Sequence, residues 1–420
     1  MNASINTGAA PVRRLAAQQW AVIWLVGAGH FISHFYVLCL PPLFLLMSGD
    51  LLMADGQPVS KAGLGFILTC FFVAVASVQM PVGMLVDRIG ARRVLCFGLF
   101  VLSGSITLAG LTSSYWGLVG LFAVAGMGNS VFHPCDYVIL SSSIDEDRMG
   151  KAFSIHSVCA QTGFFAAPVV MALLANLFDW RTALVIAGSM GLVLAVFILM
   201  SQRILYDSTE RKKKELGQLR RTWHALMKPR IVAHFVYFAT SSAATTALSS
   251  FMIVALGAHY GMSNAVANSI LSAYLAAAIF GVVVGGVLAD KTKRHDLVLV
   301  VTLLVSSACV AVVATGVASF WVIVVALVIA GATKGILTPS RDIMVRTDAP
   351  PAMLGAVVAF VTVGFTIGNS SMPTIAGWFV DIGSPLAVFW SASVLSLVAI
   401  SCVVISRRGD AELNSDESHS

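Results

Sequence analysis

Charged residues are scarce in this sequence: they make up 11% of 420 residues, whereas about a quarter of a typical soluble domain is charged. Hydrophobic residues make up 58%. A soluble fold of this length would leave its surface largely without charge, because charged side chains normally stay in water. The composition therefore excludes an ordinary soluble domain and indicates a protein that crosses a membrane several times.

Signatures of catalysis and of cofactor binding are also missing. The sequence contains no glycine-rich P-loop, no G-x-S-x-G nucleophile turn and no H-E-x-x-H pair. Its seven cysteines lie in apolar runs without C-x-x-C spacing, so we expect neither disulfides nor a cysteine metal site. These absences predict a protein that is not an enzyme and binds neither a cofactor nor a metal.

The apolar residues are gathered into runs long enough to cross a bilayer, since a helix needs about 20 such residues to span roughly 30 Å of hydrocarbon. We count twelve, at approximately 19–47, 62–86, 92–112, 115–141, 150–178, 181–204, 230–258, 264–289, 295–316, 318–344, 352–380 and 384–406. The first run follows Arg13 and Arg14 but is too long for a cleaved signal peptide. The pattern predicts an all-α polytopic membrane protein with twelve transmembrane helices.

The placement of lysine and arginine predicts the orientation. With the N-terminus inside, 22 of the 26 basic residues fall in cytoplasmic segments; only Lys61 and Arg181 lie outside, and Lys334 and Arg341 lie within spans. This asymmetry predicts a multi-pass protein of the bacterial inner membrane with both termini cytoplasmic. The net charge of +6 is thereby accounted for without a nucleic-acid partner.

One long charged segment divides six runs from six. We predict an N-terminal six-helix bundle at 1–201, a cytoplasmic linker at 202–229, a C-terminal six-helix bundle at 230–406 and a polar, disordered cytoplasmic tail at 407–420.

The two halves also carry matching residues at nearly constant spacing. The pairs are Gly83/Gly286 and Asp87/Asp290 at 203, His30/His234 at 204, and Pro134/Pro339, Gly150/Gly355, Gly163/Gly368 and Pro168/Pro373 at 205. Such a repeat predicts two pseudo-symmetric bundles around a cavity near the bilayer midplane, with alternating access by rocking.

The segment GMLVDRIGARR at 83–93 lies between the second and third runs, and GVLADKTKRH at 286–295 partly repeats it. With twelve spans, this motif resembles the major facilitator superfamily of secondary transporters along essentially the full chain. The resemblance implies a conformational gate in which Asp87 meets the N-terminal end of a helix in the other half, while the arginines pair with nearby acids. The gate residues would be Gly83, Asp87, Arg88, Gly90, Arg92, Arg93, Gly286 and Asp290.

A finer resemblance rests on HFISHFYVLCLPPLF at 30–44 and FHP at 132–134. Both are similar to the branch of the superfamily that contains fosmidomycin-resistance proteins, drug exporters thought to exchange substrate for protons. Where proton antiporters of the superfamily usually carry arginine in span four, this chain has Leu121. Drug or antimicrobial efflux by proton antiport is therefore the alternative function.

Charged side chains inside the spans need a partner or a function, because each costs about 2.5–3.5 kcal/mol at the middle of a helix. Lys334, near the middle of span ten, is either an anion-binding or ion-coupling group or the structural partner of an acid. Asp136 and Arg341 are equivalent by the 205 offset, so they either pair across the halves or pair separately, for instance Arg341 with Asp342.

His30 and His34 share one helix face, being four residues apart. They are candidates for binding protons or substrate, or for hydrogen bonds between helices. No carboxylate accompanies them locally, so we expect no metal. His133 and His156 are weaker candidates of the same kind.

Other polar residues on the spans are either cavity-lining or helix-packing groups. The candidate substrate-binding residues are His30, His34, Asn129, Gln161, Tyr274, Lys334 and Asn369; the candidates for proton or ion coupling are His30, His34, Asp136 and Arg341.

Taken together, these features predict a monomeric secondary active transporter for a small organic solute, in particular an organic anion, coupled to protons. A non-transporting sensor on the same fold would be expected to carry a large soluble module, and a membrane enzyme would need an acid–base or metal set that the sequence does not offer.

Overall fold

The computed structural model describes residues 16–201, 226–350 and 353–417, with the side chains of Ala16, Met80, Asp87, Asp147, Gly355 and 406–417 left out. Its α-helices are α1 (Ala16–Val37), α2 (Phe44–Asp50), α3 (Lys61–Ile89), α4 (Ala91–Leu111), α5 (Tyr115–Asn129), α6 (Phe132–Ser143), α7 (Glu146–Leu177), α8 (Trp180–Met200), α9 (Pro229–Tyr260), α10 (Asn264–Lys291), α11 (His295–Ala314), α12 (Phe320–Asp348), α13 (Leu354–Asp381) and α14 (Ala387–Glu417).

Twelve segments of the described chain are long and apolar enough to cross a membrane, which confirms the predicted number of spans. Two of them are broken rather than continuous. In the first, a 3-10 turn at Pro41–Leu43 separates α1 from α2. In the fourth, α5 ends at Asn129 and α6 begins at Phe132, because Pro134 has no N–H to donate to the carbonyl of Ser130.

The helices form two six-span bundles. In the first, α1 packs on α7, and α4 packs on α5 and α8; in the second, α9 packs on α13 and α14, and α10 packs on α12. The bundles meet chiefly where α3 contacts α13 and where α7 contacts α10.

Close glycine contacts repeat between the bundles. A Cβ added to Gly126 of α5 would overlap the carbonyl of Phe71, and one added to Gly331 of α12 would overlap the carbonyl of Tyr274. These contacts relate the halves by offsets of 205 and 203, as the sequence predicts. Small residues here let the helix backbones approach each other within the membrane.

The predicted match of His30 with His234 is wrong by one helical turn. Gly163 packs against the carbonyl of Phe31, whereas its counterpart Gly368 packs against that of Ala239. The offset between α1 and α9 is therefore 208, which makes Phe238 the counterpart of His30. A single matched pair of residues could not detect this shift, because residues four positions apart point to nearly the same face of a helix.

The tail also differs from its prediction, because α14 continues as a helix through Glu417 instead of ending at residue 406. Six of the twelve residues from 406 to 417 are strong helix formers, namely two Arg, two Glu, one Ala and one Leu, and no proline interrupts the segment.

We expect Gly126→Ala to destabilise the protein by about 1–3 kcal/mol, because the added methyl must displace the α3 backbone. Gly120→Ala on the same helix is the matched control, since no atom lies within 4 Å of its added Cβ. Thermal unfolding in detergent measures the difference. Equal melting temperatures for the two variants would contradict the close contact.

Candidate functional site

Four histidines and one aspartate converge inside the first bundle. His30 and His34 come from α1, His133 and Asp136 from α6, and His156 from α7. The ring centroids of His30 lie 4.5 Å from His34, 5.2 Å from His133 and 3.7 Å from His156. The break before α6 contributes to this arrangement, because it starts a new helix just before two of the five residues. We call these five residues the histidine cluster.

Asp136 is the centre of the histidine cluster. Its side chain is fully buried, and its Oδ2 lies 2.8 Å from Nδ1 of His30 and 2.9 Å from Nε2 of His156. The second distance is a hydrogen bond, whereas Nδ1 of His30 is close to the oxygen but is not directed at it. Nitrogens of two imidazoles therefore lie within 3 Å of the same carboxylate oxygen, and one of them is hydrogen-bonded to it.

The histidine cluster also contains buried polar atoms that lack a hydrogen-bond partner among the described residues, namely Oδ1 of Asp136 and Nδ1 of His34. A buried carboxylate without a compensating charge is strongly unfavourable. A proton held either on an imidazole or on the carboxylate itself would remove this imbalance. The geometry is thus suited to holding a proton and to sharing it between rings.

The structure also provides the carboxylate whose absence argued against metal binding. Donor atoms of His30, Asp136 and His156 lie within 4.8 Å of one another, which is within reach of a shared ion. However, the two nitrogen–oxygen distances of 2.8 and 2.9 Å are hydrogen-bond lengths. They are shorter than the roughly 3.4 Å between ligands that zinc bonds of 2.0–2.1 Å require in a tetrahedron. This arrangement fits a shared proton better than a metal ion.

Lys334 lies on α12 in the second bundle and forms no ion pair with the acids that the structure describes. Its Nζ makes one long contact of 3.4 Å, to the hydroxyl of Ser241 on α9, and no described carboxylate lies within ion-pair distance. The side chain is half-buried. A cation inside a span is costly when no acid forms an ion pair with it, which makes Lys334 a candidate binding site for an anion.

Arg341 does not pair with Asp136 in this conformation. Its guanidinium instead contacts Asp342 at 2.8 Å and lies 4.8 Å from the centre of the Phe238 ring. The alternative with separate partners is therefore the one observed. The reason is local: Asp136 is enclosed by imidazoles, whereas Asp342 directly follows Arg341 in the chain.

Two of the four remaining polar candidates join helices. The amide of Asn129 donates to the carbonyl of Ser33 at 3.2 Å, and the amide oxygen of Asn369 accepts from Thr246 at 2.7 Å. Tyr274 is buried, and Gln161 is half-buried on α7. The structure brings none of these four residues into the histidine cluster.

The motif at 83–93 forms the tight connection between α3 and α4. Gly90 has φ of +93°, a conformation that favours glycine, whereas Gly83 and Gly286 face open space. The side chain of Asp87 lies outside the described residues. The other predicted gate residues lie on the surface or near it: Arg88, Arg93 and Asp290 are exposed, and Arg92 is half-buried.

The bundles are locked together at the opposite end of the molecule, which we call the Asp381 end. The Asp381 carboxylate, at the end of α13, accepts hydrogen bonds of 2.8 Å from the backbone amides of Lys61 and Ala62 at the start of α3. Next to it, Gly65 packs against the carbonyl of Pro373. An acidic cap on the N-terminus of a helix is favourable, and here it comes from the other bundle.

Aromatic packing closes the Asp381 end further. Phe44 of α2 and Phe251 of α9 are both buried, with ring centroids 5.2 Å apart. The sequence analysis missed this closure, because the contacting residues are about 200 to 320 positions apart and are common apolar or capping types.

We expect Asp381→Ala to weaken this closure by about 1 kcal/mol, the typical value of a helix cap, and so to raise the open fraction about fivefold. Spin labels on Gln57 and Ser384, two exposed residues that flank the contact, would report the separation.

The control is Asp179→Ala, which removes a cap within one bundle. Asp179 accepts from the amides of Arg181 and Thr182 at the start of α8, and hydrogen bonds from the Thr182 amide and hydroxyl lower the pKa of its carboxyl. Unchanged label distances in Asp381→Ala would rule out a role for this contact in closure.

Several known proteins with similar sequences or folds are membrane transport or resistance proteins. A probable L-galactonate transporter of Escherichia coli (strain K12) is 23% identical over 151 residues, covering 36% of this chain and 33% of that protein. Multidrug resistance protein MdtG of Serratia proteamaculans (strain 568) is 27% identical over 171 residues, covering 41% and 40%. The chain thus matches only about a third to two-fifths of the length of these relatives.

The fold is also similar to a crystal structure of a bacterial homologue of the human lysosomal transporter Spinster, in an inward-facing and unoccupied conformation. The two structures align over nearly their whole length. The TM-score is 0.71 at 15% identity, over 95% of this chain and 96% of that one. These three proteins are transporters or resistance proteins, and none is an enzyme. The sequence profile of the Major Facilitator Superfamily matches residues 26–257 and 237–419. A match of this extent, together with the twelve-span fold, shows that the chain belongs to the Major Facilitator Superfamily.

Proposed function

We propose that this protein is a proton-coupled secondary transporter of a small organic anion in the bacterial inner membrane. The observation that carries the proposal is Lys334, a cation within a span that has only a long contact to Ser241 and no described acid beside it. Placing a charge there is costly unless something binds to it. An anionic group of the solute supplies the missing partner.

The histidine cluster is the proposed proton site. Asp136 draws together His30 and His156, and His34 and His133 lie against the His30 ring. Histidine changes its charge within the physiological pH range, so a ring beside a buried carboxylate can take up and release a proton during transport. Arg341 remains a coupling candidate through its contact with Asp342.

The proposed cycle opens the two ends of the molecule in turn. With both termini in the cytoplasm, as the basic residues predict, the Asp381 end faces outward and is closed in this conformation. The segment at 83–93 then lies on the cytoplasmic side. Closure on that side would separate α3 from α13 at the Asp381 end, which requires the Asp381 cap to break.

A second candidate function is drug efflux by proton antiport. Two observations favour it: the similarity to a multidrug resistance protein, and the motifs around His30 and His133 that resemble the fosmidomycin-resistance branch. The leucine at position 121 argues against a standard proton antiporter.

Purified protein in liposomes with an imposed pH gradient tests both candidates, using panels of radiolabelled carboxylates, phosphonates and antimicrobial compounds. We expect an anion to accumulate only when the gradient is present. Transport of neutral or cationic drugs with no transport of anions would favour efflux. Anion uptake that is the same with and without every ion gradient tested would rule out coupling.

A further inference from the structure

The charged side chains around Lys334 add up to one positive charge. Arg341 lies seven residues further along α12, so it shares a face with Lys334 two turns away. The Nε and Nη2 atoms of Arg341 both lie 2.8 Å from Oδ1 of Asp342. Two cations and one carboxylate therefore occupy this region, and the acid is bound to the arginine.

Among the described residues, no further charged side chain of α9 or α6 lies in this region. From α9, the side chains that face this region are Tyr237, Phe238 and Ser241, which are residue types without a charge at neutral pH. From α6 of the other bundle, Tyr137 lies close enough to Asp342 to interact with it electrostatically. More than half of the Asp342 side chain is exposed, so it borders open space rather than the core.

We propose that the solute binds beside Lys334 as a monoanion, and that Asp342 determines this valence by neutralising Arg341. The proposal rests on the proposed function of anion transport and refines it. One negative charge on the solute balances the net charge of the region. A second would be left uncompensated inside the membrane, where charges without partners are costly. The favoured class is thus a monocarboxylate over a dicarboxylate or a doubly charged phosphonate.

A series of variants changes the charge of the region step by step. Relative to the wild-type value of +1, Asp342→Asn gives +2, Arg341→Gln gives 0, and the double variant returns to +1. The probes are butanoate and butanedioate, which have the same number of carbons but differ in charge. Their binding to protein in lipid nanodiscs is measured by calorimetry, and their uptake is measured in liposomes.

We expect the wild type to prefer butanoate, and Asp342→Asn to shift the affinity ratio toward butanedioate by at least about tenfold, equivalent to about 1.4 kcal/mol. Arg341→Gln should weaken binding of both anions. The double variant should regain the preference for butanoate. If Asp342→Asn acted only by misfolding the protein, the double variant would not recover.

The outcomes separate this inference from the function on which it rests. If the wild type prefers butanedioate, or if Asp342→Asn leaves the ratio unchanged, the valence assignment is overturned while anion transport stands. If the wild type binds neither probe and no other anion of the transport panel, both proposals fail.

Discussion

Replacing Asp136 with asparagine is expected to abolish accumulation of the solute against its gradient while leaving exchange of solute between the two sides intact. Asparagine keeps the shape of the side chain but removes the carboxylate that we propose holds a proton in the histidine cluster. For one proton per solute, each unit of pH gradient corresponds to about 1.36 kcal/mol, or about tenfold accumulation. The variant should lose this factor and equilibrate at a ratio of about one.

The measurement compares pH-driven uptake with counterflow in the same liposomes. His156→Gln, which removes a direct partner of Asp136, should behave in the same way. His259→Gln is the control, because that histidine lies at the far end of α9 and contacts the carbonyl of Gly316. Full accumulation by Asp136→Asn would mean that the histidine cluster only joins helices.

The second large effect is expected at Lys334. Lys334→Ala removes the cation proposed to bind the solute, and a hydrogen bond to a charged group contributes about 1.5–3 kcal/mol. We therefore expect the KM for anions to rise roughly ten- to hundredfold, with little change in unfolding temperature.

Two further variants make this result specific. Lys334→Arg should keep part of the affinity, because it retains the charge with a different shape. Lys291→Ala removes an exposed lysine at the end of α10 and should leave the KM unchanged. A wild-type KM in Lys334→Ala would remove the reason for proposing an anionic solute.

The histidine cluster illustrates what sequence reasoning found and what it missed. The sequence predicts His30, His34 and Asp136 as coupling groups, and it leaves open whether Asp136 pairs with Arg341 of the other bundle or has a separate partner. Its observed partner His156 is 20 residues away on the next helix. The sequence did contain a signal for this contact, since an acid and a histidine within consecutive spans can form a hydrogen bond. Whether they do so depends on the rotation of each helix about its axis.

Glycine contacts between helices support the repeat between the bundles, but one of the predicted pairs is wrong. Glycine contacts support offsets of 203 and 205, whereas α9 is shifted by four residues relative to the match of His30 with His234. The shift matters because it places His234 at the end of its helix, where it hydrogen-bonds to Asp348 at 2.6 Å. The second bundle therefore has no histidine equivalent to His30.

Composition and residue spacing are enough to predict the properties that vary only along the chain. The length of the apolar runs specifies twelve helices, the positions of lysine and arginine predict the orientation, and the spacing of matched residues reveals the repeat. Each is a local or additive property, because the bilayer acts on every segment in the same way.

Tertiary structure alone decided which polar groups meet. It brought five residues of three helices into the histidine cluster and left Lys334 without an ion pair to any described acid. It also placed the Asp381 carboxylate on the first turn of a helix more than 300 residues earlier. These contacts depend on how each helix is rotated and tilted against its neighbours. That choice is set by close packing of many small contacts, above all those at the glycines, and it cannot be read from any single segment.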